Sequence, residues 1–219
     1  MVTNDKVYRT DADRGASTED GPLGGIDPYS ASKVAAEYVV ASWRPRLREA
    51  GCQVATARAG NVLGGGDWGA GRLVPDVIRA HRARTQPKLR RPESTRPWQF
   101  VLDVLGGYLL FVEAMRRGDV PPILNFGPDP DTMCTAAGLT EQRQGALGAT
   151  SGWQVGEASF LETTTLRLDS GRAARVLGWR SVTDIDRAVH WTAAWHEAAW
   201  RGDDMRRVGM AQIEAGFAA

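Results

Sequence analysis

The chain has 219 residues, 42% of them hydrophobic, with 27 basic and 26 acidic side chains and a net charge of +1. That length and apolar content suit one globular domain, or one and a half, with a sizeable core. The balanced charge argues against nucleic acid as a partner, and no apolar run approaches the roughly 20 residues needed to span a bilayer.

The chain opens on Met1-Val2-Thr3, which reads as the tail of a strand, followed by Asn4-Asp5-Lys6-Val7-Tyr8. Asn4, Asp5 and Lys6 interrupt any apolar start, so no signal peptide is read here. Residues 9–27 are polar and rich in glycine and read as a loop. Pro28 suits the first turn of a helix that runs to about Arg48, with Val34, Tyr38 and Ala41 at helical spacing and Pro45 near its end. Gly51 stops that helix, and Cys52-Gln53-Val54-Ala55-Thr56-Ala57 reads as a buried strand. Arg58-Ala59-Gly60-Asn61 then leaves the strand, and Gly64-Gly65-Gly66-Asp67-Trp68 forms a loop that permits close backbone approach. A helix starts at Leu73-Val74-Pro75-Asp76, a short extended piece covers Trp98–Val101, and Asp103 is placed to cap a helix over 104–117. Pro121–Phe126 is a further strand, and Ala136 to Leu147 is a helix candidate inside the poorly patterned stretch 127–164. Leu166–Leu168 reads as a strand, with Asp169 or Ser170 capping a helix to Leu177. Helices follow over Asp184–Trp200 and Asp204–Ala215, with Gly216 as a stop. Helix and strand alternate as in a parallel α/β sheet, whose ligands sit beyond the carboxyl ends of the strands. The Thr3–Lys6 and Arg58–Trp68 segments both occupy such ends.

Two groups carry chemistry. Tyr29 and Lys33 are four residues apart, so both lie on one helical face. An ammonium beside a phenol favours the phenolate, and a tyrosine so tuned is a general base toward an alcohol. From spacing alone the pair is an ordinary surface pair, but Asp27-Pro28 before it and Asp5-Lys6 upstream favour chemistry. Such a base serves hydride removal to a nicotinamide. A dinucleotide in turn calls for a glycine-rich turn that opens a helix after a first strand. Gly24-Gly25 and Gly64-Gly65-Gly66 lack that spacing, so the first half of a nucleotide-binding fold is expected to lie outside this chain. His190, Trp191, Trp195, His196 and Trp200 recur at helical spacing and are expected to pack. The cluster Arg79–Arg84 reads as a solvated helix end, and the lone thiols Cys52 and Cys134 suggest a reducing cytoplasm.

The chain resembles the C-terminal two-thirds of the CDP-glucose 4,6-dehydratases, extended short-chain dehydrogenase/reductases of the NAD-dependent epimerase/dehydratase group. The stretches that carry the resemblance are Thr3–Tyr8, Pro22–Lys33, Arg58–Trp68, Arg72–Asp76, Arg96-Pro97-Trp98-Gln99, Asn125–Pro128 and Leu177-Gly178-Trp179. Tyr-x-x-x-Lys marks a very large superfamily, whereas Gly-Gly-Gly-Asp-Trp and Arg-Pro-Trp-Gln are specific to this branch.

The resemblance implies an α/β fold: the C-terminal part of a Rossmann-like parallel sheet, plus a smaller, mostly helical substrate-binding subdomain. Residues 1–127 would form the partial core with interleaved substrate segments, and 128–219 the subdomain and terminal helices. It implies a cytoplasmic, NAD-dependent lyase of deoxysugar biosynthesis that converts CDP-glucose to CDP-4-keto-6-deoxyglucose. Tyr29 would take the C4 hydroxyl proton as hydride leaves C4, while Lys33 holds the nicotinamide ribose. Lys6 would remove the C5 proton, Asp5 would protonate the departing C6 hydroxyl, and hydride would return to C6. Asn61 and Arg96 match diphosphate contacts, and Arg72 and Leu73 lie where the family touches the nucleotide.

Three departures mark this chain. Asn4 stands in the place of the Ser or Thr that bonds the C4 oxygen, Phe100 stands in the place of a His, and residues 129–164 diverge. The part of the family that carries the cofactor's adenosine and diphosphate, and the helix that pairs with the Tyr29–Lys33 helix in the dimer, are expected to lie outside this chain. The expected partners are therefore a nucleotide sugar and either a second copy or a separate N-terminal half. The alternative is a truncated, non-catalytic descendant that binds a nucleotide sugar or a protein. An epimerase is disfavoured, because it needs no Asp5-Lys6 elimination pair. A sheet edge and an apolar helix face are expected to stand uncovered, so the isolated chain is expected to aggregate or need a partner.

Overall fold

A computed structural model describes residues 1–9, 15–118, 120–129, 133–148, 152–157 and 167–217. In chain order it runs β1 (Val2–Asn4), a 3₁₀ turn (Asp5–Val7), α1 (Pro28–Glu49), β2 (Thr56–Ala59), β3 (Asn61–Leu63), α2 (Leu73–Arg82) and β4 (Lys88–Leu89). There follow β5 (Thr95–Arg96), β6 (Trp98–Phe100), α3 (Val101–Arg117), β7 (Ile123–Phe126), β8 (Cys134–Thr135), α4 (Ala136–Ala146) and β9 (Gln154–Val155). The chain closes with α5 (Gly171–Leu177), α6 (Ile185–Arg201) and α7 (Met205–Phe217).

The central sheet is parallel, in the order β1-β2-β7. Its register sets Thr3, Arg58 and Asn125 abreast, one from each strand. Side chains alternate between sheet faces, so the intervening residues Ala57, Ala59, Leu124 and Phe126 point the other way. Those four form a buried core with Val104 and Phe111 of α3, Ala173 of α5 and Trp179. A second core joins Leu63 and Phe100 of the parallel β3–β6 pair to Val74 and Ile78 of α2, Leu139 of α4, and Ala188 and Val189 of α6. Among the described residues there are two further short pairs, β4–β9 parallel and β5–β8 antiparallel.

Local chemistry explains the helix starts. Asp27 caps α1 by accepting hydrogen bonds from the Tyr29 and Ser30 amides at 3.0 Å each, with Pro28 in the first turn. Asp184 caps α6 through the Arg187 amide. That helix ends where Gly202 takes a left-handed conformation at φ 81°. Gly107 lets α3 lie on the sheet, because a Cβ there would stand 2.6 Å from the Phe126 ring and 2.8 Å from the Trp179 indole nitrogen. Gly107→Ala is expected to cost about 2 kcal/mol through overpacking, a drop of roughly 4–8 °C in melting temperature by calorimetry.

Several sequence expectations need correction. The strand expected over 52–57 lies later, at Thr56–Ala59, so Arg58 and Ala59 belong to it and Asn61 opens β3. Cys52 is exposed in the approach to that strand. Asp103 does not cap α3, which starts from Phe100. Its carboxylate instead accepts bonds from Ser181, Val182 and Thr183 and so pins the segment before α6. Gly216 lies inside α7 rather than beyond it. The strand expected at Leu166–Leu168 is a single bridge from Leu168 to Ser17, and Leu166 lies outside the described residues. Of the expected loop over residues 9–27, residues 10–14 also lie outside them.

Among the described residues, the outer edge of β1 pairs with no strand. Tyr38, Val39 and Trp43 stand exposed on α1, and Leu105, Leu109 and Val112 on α3. A hollow of about 760 Å³ opens beside β1 and α3, lined by Met1, Val2, Phe111 and Val112 among others. No helix of the described residues is long and apolar enough to cross a membrane.

Candidate active site

The carboxyl ends of β1 and β2 deliver the two chemical segments to one place. The 3₁₀ turn after β1 carries Asp5 and Lys6, and α1 brings Tyr29 over them. The Asn4 side-chain amide donates to the Tyr29 hydroxyl at 2.7 Å. The Lys6 and Lys33 ammonium groups each stand 5.7 Å from the centre of the Tyr29 ring.

These groups open onto a cleft of about 530 Å³. Its walls include Asn4, Asp5, Lys6 and Tyr29 together with Asn61, Arg72, Leu73 and Arg96. Eight of the nine residues singled out from the sequence thus share one cavity. Lys33 is not part of its wall and stands over the Tyr29 ring.

The electrostatics of the cleft are uneven. Asp5 is buried, and its Oδ2 has no hydrogen-bond partner among the described residues. Burial pushes its carboxyl up to about 6, against the opposing pull of Arg96 and Lys6. A carboxylic acid in that range holds a proton it can give up near neutral pH. Arg96 is buried beside it, whereas Arg72 is exposed at the rim and pairs with Asp67 at 3.2 Å. Asn61 opens β3 opposite Trp98 of β6, and Leu73 opens α2, so both are set by secondary structure rather than by loops.

Sequence reasoning passed over further wall residues: Lys88, Arg90, Arg91 and Asp67 also face the cleft. The basic run Lys88-Leu89-Arg90-Arg91 was the available signal. The glycine loop behaves as expected, since a Cβ on Gly65 would meet the Trp195 ring at 2.1 Å. Trp68 of the same loop stacks on His196 at 4.6 Å between ring centres. His196 is fully buried, Trp191 packs on Phe100, Trp195 on His196 and Trp200 on His81, so these four pack as their spacing suggested, whereas His190 is exposed. Phe100, the departure from His, is itself fully buried in the second core.

A model of the NAD dependent epimerase/dehydratase family matches residues 2–127. The chain belongs to that family. The CDP-glucose 4,6-dehydratase of Salmonella typhimurium is 34% identical over 213 residues, which cover 93% of this chain and 59% of that protein. Among solved structures, the dTDP-glucose 4,6-dehydratase of Bacillus anthracis in complex with NAD superposes with a TM-score of 0.76 at 20% identity, over 92% of this chain and 62% of that one. The dTDP-glucose 4,6-dehydratase of Streptomyces venezuelae superposes with a TM-score of 0.78 at 24% identity, over 91% and 60%. The fold of this epimerase/dehydratase chain is thus Rossmann-like, and the chain spans about three-fifths of the length of the relatives it matches.

The residues of this family member fit one end of NAD. Half-exposed Tyr29 with Lys33 over its ring suits a nicotinamide ribose. Among the described residues, no glycine turn is built to hold the diphosphate. Gly25 is packed against Ser30, and Gly65 against Trp195.

Proposed function

We propose that this chain carries the reacting and sugar-nucleotide-binding part of a nucleotide-sugar 4,6-dehydratase, with CDP-glucose as its substrate and NAD as its cofactor. The observation that supports the reading best is that Tyr29 and the Asp5-Lys6 pair open onto one cleft, with Arg96 beside them. The roles of all nine residues below are part of this proposal.

NAD⁺, when bound, takes a hydride from the sugar and returns it. Tyr29 Oη accepts the proton of the C4 hydroxyl, with Asn4 donating to the same oxygen. Asn4 orients that oxygen but, unlike a hydroxyl, passes no proton onward. Lys33 holds the nicotinamide ribose. The 4-keto group acidifies C5, and Lys6 removes that proton and gives one back to C5 once hydride has returned to C6. Asp5, whose buried carboxyl is pushed up to about 6, gives its proton to the leaving C6 oxygen, and water departs. Asn61 and Arg96 hold the diphosphate, for which a guanidinium fork is suited. Arg72 and Leu73 meet the nucleotide.

In this reading the exposed face of α1 pairs with a second copy. The hollow beside β1 receives nucleotide-binding elements supplied in the same or another polypeptide, and the protein works in the cytoplasm. Residues 1–127 form the core, and 128–219 the substrate-binding subdomain. The competing reading is a non-catalytic binder of a nucleotide sugar or a protein.

Native mass spectrometry of the chain with NAD⁺ and CDP-glucose separates the two readings. The dehydratase reading predicts bound cofactor and a sugar product lighter by one water. CDP-glucose bound without turnover, in a chain that also holds NAD⁺, would favour the non-catalytic binder.

A further inference from the structure

The strongest polar arrangement outside the cleft is buried under it. Glu37 follows Lys33 by one turn of α1 and Tyr29 by two, on the same face. Its Oε1 accepts from the Thr3 hydroxyl and from Arg58 Nε at 2.8 Å, and its Oε2 accepts from Arg58 Nη2 at 3.0 Å. Arg58 Nη1 donates to the Tyr8 hydroxyl at 2.8 Å and to the Glu19 carbonyl at 3.2 Å. The Tyr8 hydroxyl in turn donates to Asn125 Oδ1 at 2.7 Å. Both members of the pair are buried, as are Thr3 and Tyr8.

Thr3 and Tyr8 bracket Asn4-Asp5-Lys6-Val7. One carboxylate–guanidinium pair, anchored on α1 and β2, therefore grips both ends of the segment that faces Tyr29. The register that sets Thr3 beside Arg58 makes the grip possible. We propose that Glu37 and Arg58 are positioning residues, locking α1 to both ends of the Thr3–Tyr8 segment so that Tyr29 and Lys33 stay in register with Asn4, Asp5 and Lys6. The proposal rests on the dehydratase reading for its catalytic consequence, though not for its structural one. A buried ion pair by itself is weak evidence for stability, whereas a role in fixing register is its best-attested use. A misplacement of about 1 Å at reacting groups can cost a hundredfold in rate.

The test is Thr3→Val, which cuts the bond to the segment and leaves the Glu37–Arg58 pair whole. Tyr8→Phe cuts the other end if Thr3→Val does not fold. Two readouts are taken. The first is the side-chain amide NMR signal of Asn4, assigned by its loss in Asn4→Asp and read without substrate. The second is kcat and KM with NAD⁺ and CDP-glucose. The expected result is a shifted Asn4 signal and a kcat lowered at least about tenfold. KM stays within about twofold, and Thr3→Ser, which restores the donor, recovers both readouts. Gly107→Ala, destabilised on the opposite sheet face, should move neither. An Asn4 signal unchanged in both variants, or an unchanged kcat, would overturn the positioning role. If the unmodified protein, shown to hold both NAD⁺ and CDP-glucose, turns nothing over, the dehydratase reading fails while the Asn4 signal still decides the positioning role.

Discussion

Asp5→Asn will raise the melting temperature at pH 7 and, in protein supplied with NAD⁺ and CDP-glucose, lower turnover by about 10²–10⁴-fold. Both effects come from one buried carboxyl. Burial lifts it from an ordinary 3.8 to about 6, so folding favours its protonated form. The sign follows directly. Below about pH 3.8 the group is protonated in both states and costs nothing. As pH rises through the window from 3.8 to 6, the unfolded chain ionises first and the folded state loses stability. At pH 7 the cost is about 2–3 kcal/mol. Asparagine carries no charge to desolvate, so the variant gains on the order of 2 kcal/mol at pH 7, or roughly 4–8 °C. It also loses the downward slope between pH 4 and 6. Calorimetry at pH 4 and pH 7 reads both. A variant less stable than the parent at pH 7, with the same slope, would contradict this account of Asp5. The trade is the one expected where stability is given up for a tuned acid.

Tyr29→Phe is the second large effect. It removes the oxygen that meets Asn4 and leaves a ring of the same shape. Tyr29 is about half exposed, so stability is expected to change by no more than about 0.5 kcal/mol. Turnover is expected to fall by about 10²–10⁴-fold, the usual worth of a positioned general base. KM is expected to hold, because the lost interaction belongs to the transition state. Lys6→Ala is expected to stop the reaction later, after C4 oxidation, and to yield no product lighter by one water. A Tyr29→Phe protein with near-normal kcat would remove Tyr29 from its role as base.

Much of this was legible before the fold. The i,i+4 spacing of Tyr29 and Lys33, the cap Asp27 and the turn Pro28 place α1 from residue types alone, because each acts over one helical turn. The carboxyl-end rule for parallel sheets brings Asn4–Lys6 and Asn61 to the same side. What was not legible depends on register. Nothing local says that Arg58 stands inside β2 beside Thr3. That is set by strand pairing across more than fifty residues of sequence, and it turned an apparent strand exit into a buried ion-pair partner. Asp103 misled for a similar reason. It has the chemistry of a cap, but its partners at 181–183 come from far along the chain. Lys88, Arg90 and Arg91 reach the cleft because short strands fold that segment back over it, which no periodicity announces.

The most direct test of the central claim follows one atom. CDP-glucose carrying deuterium at C4 is turned over by the protein with NAD⁺, and the product is read by mass and NMR. If Tyr29, Asp5 and Lys6 form one dehydratase site, the product is lighter by one water and carries the C4 deuterium at C6. A product of unchanged mass, or folded protein that binds both NAD⁺ and CDP-glucose and releases no product, would contradict it.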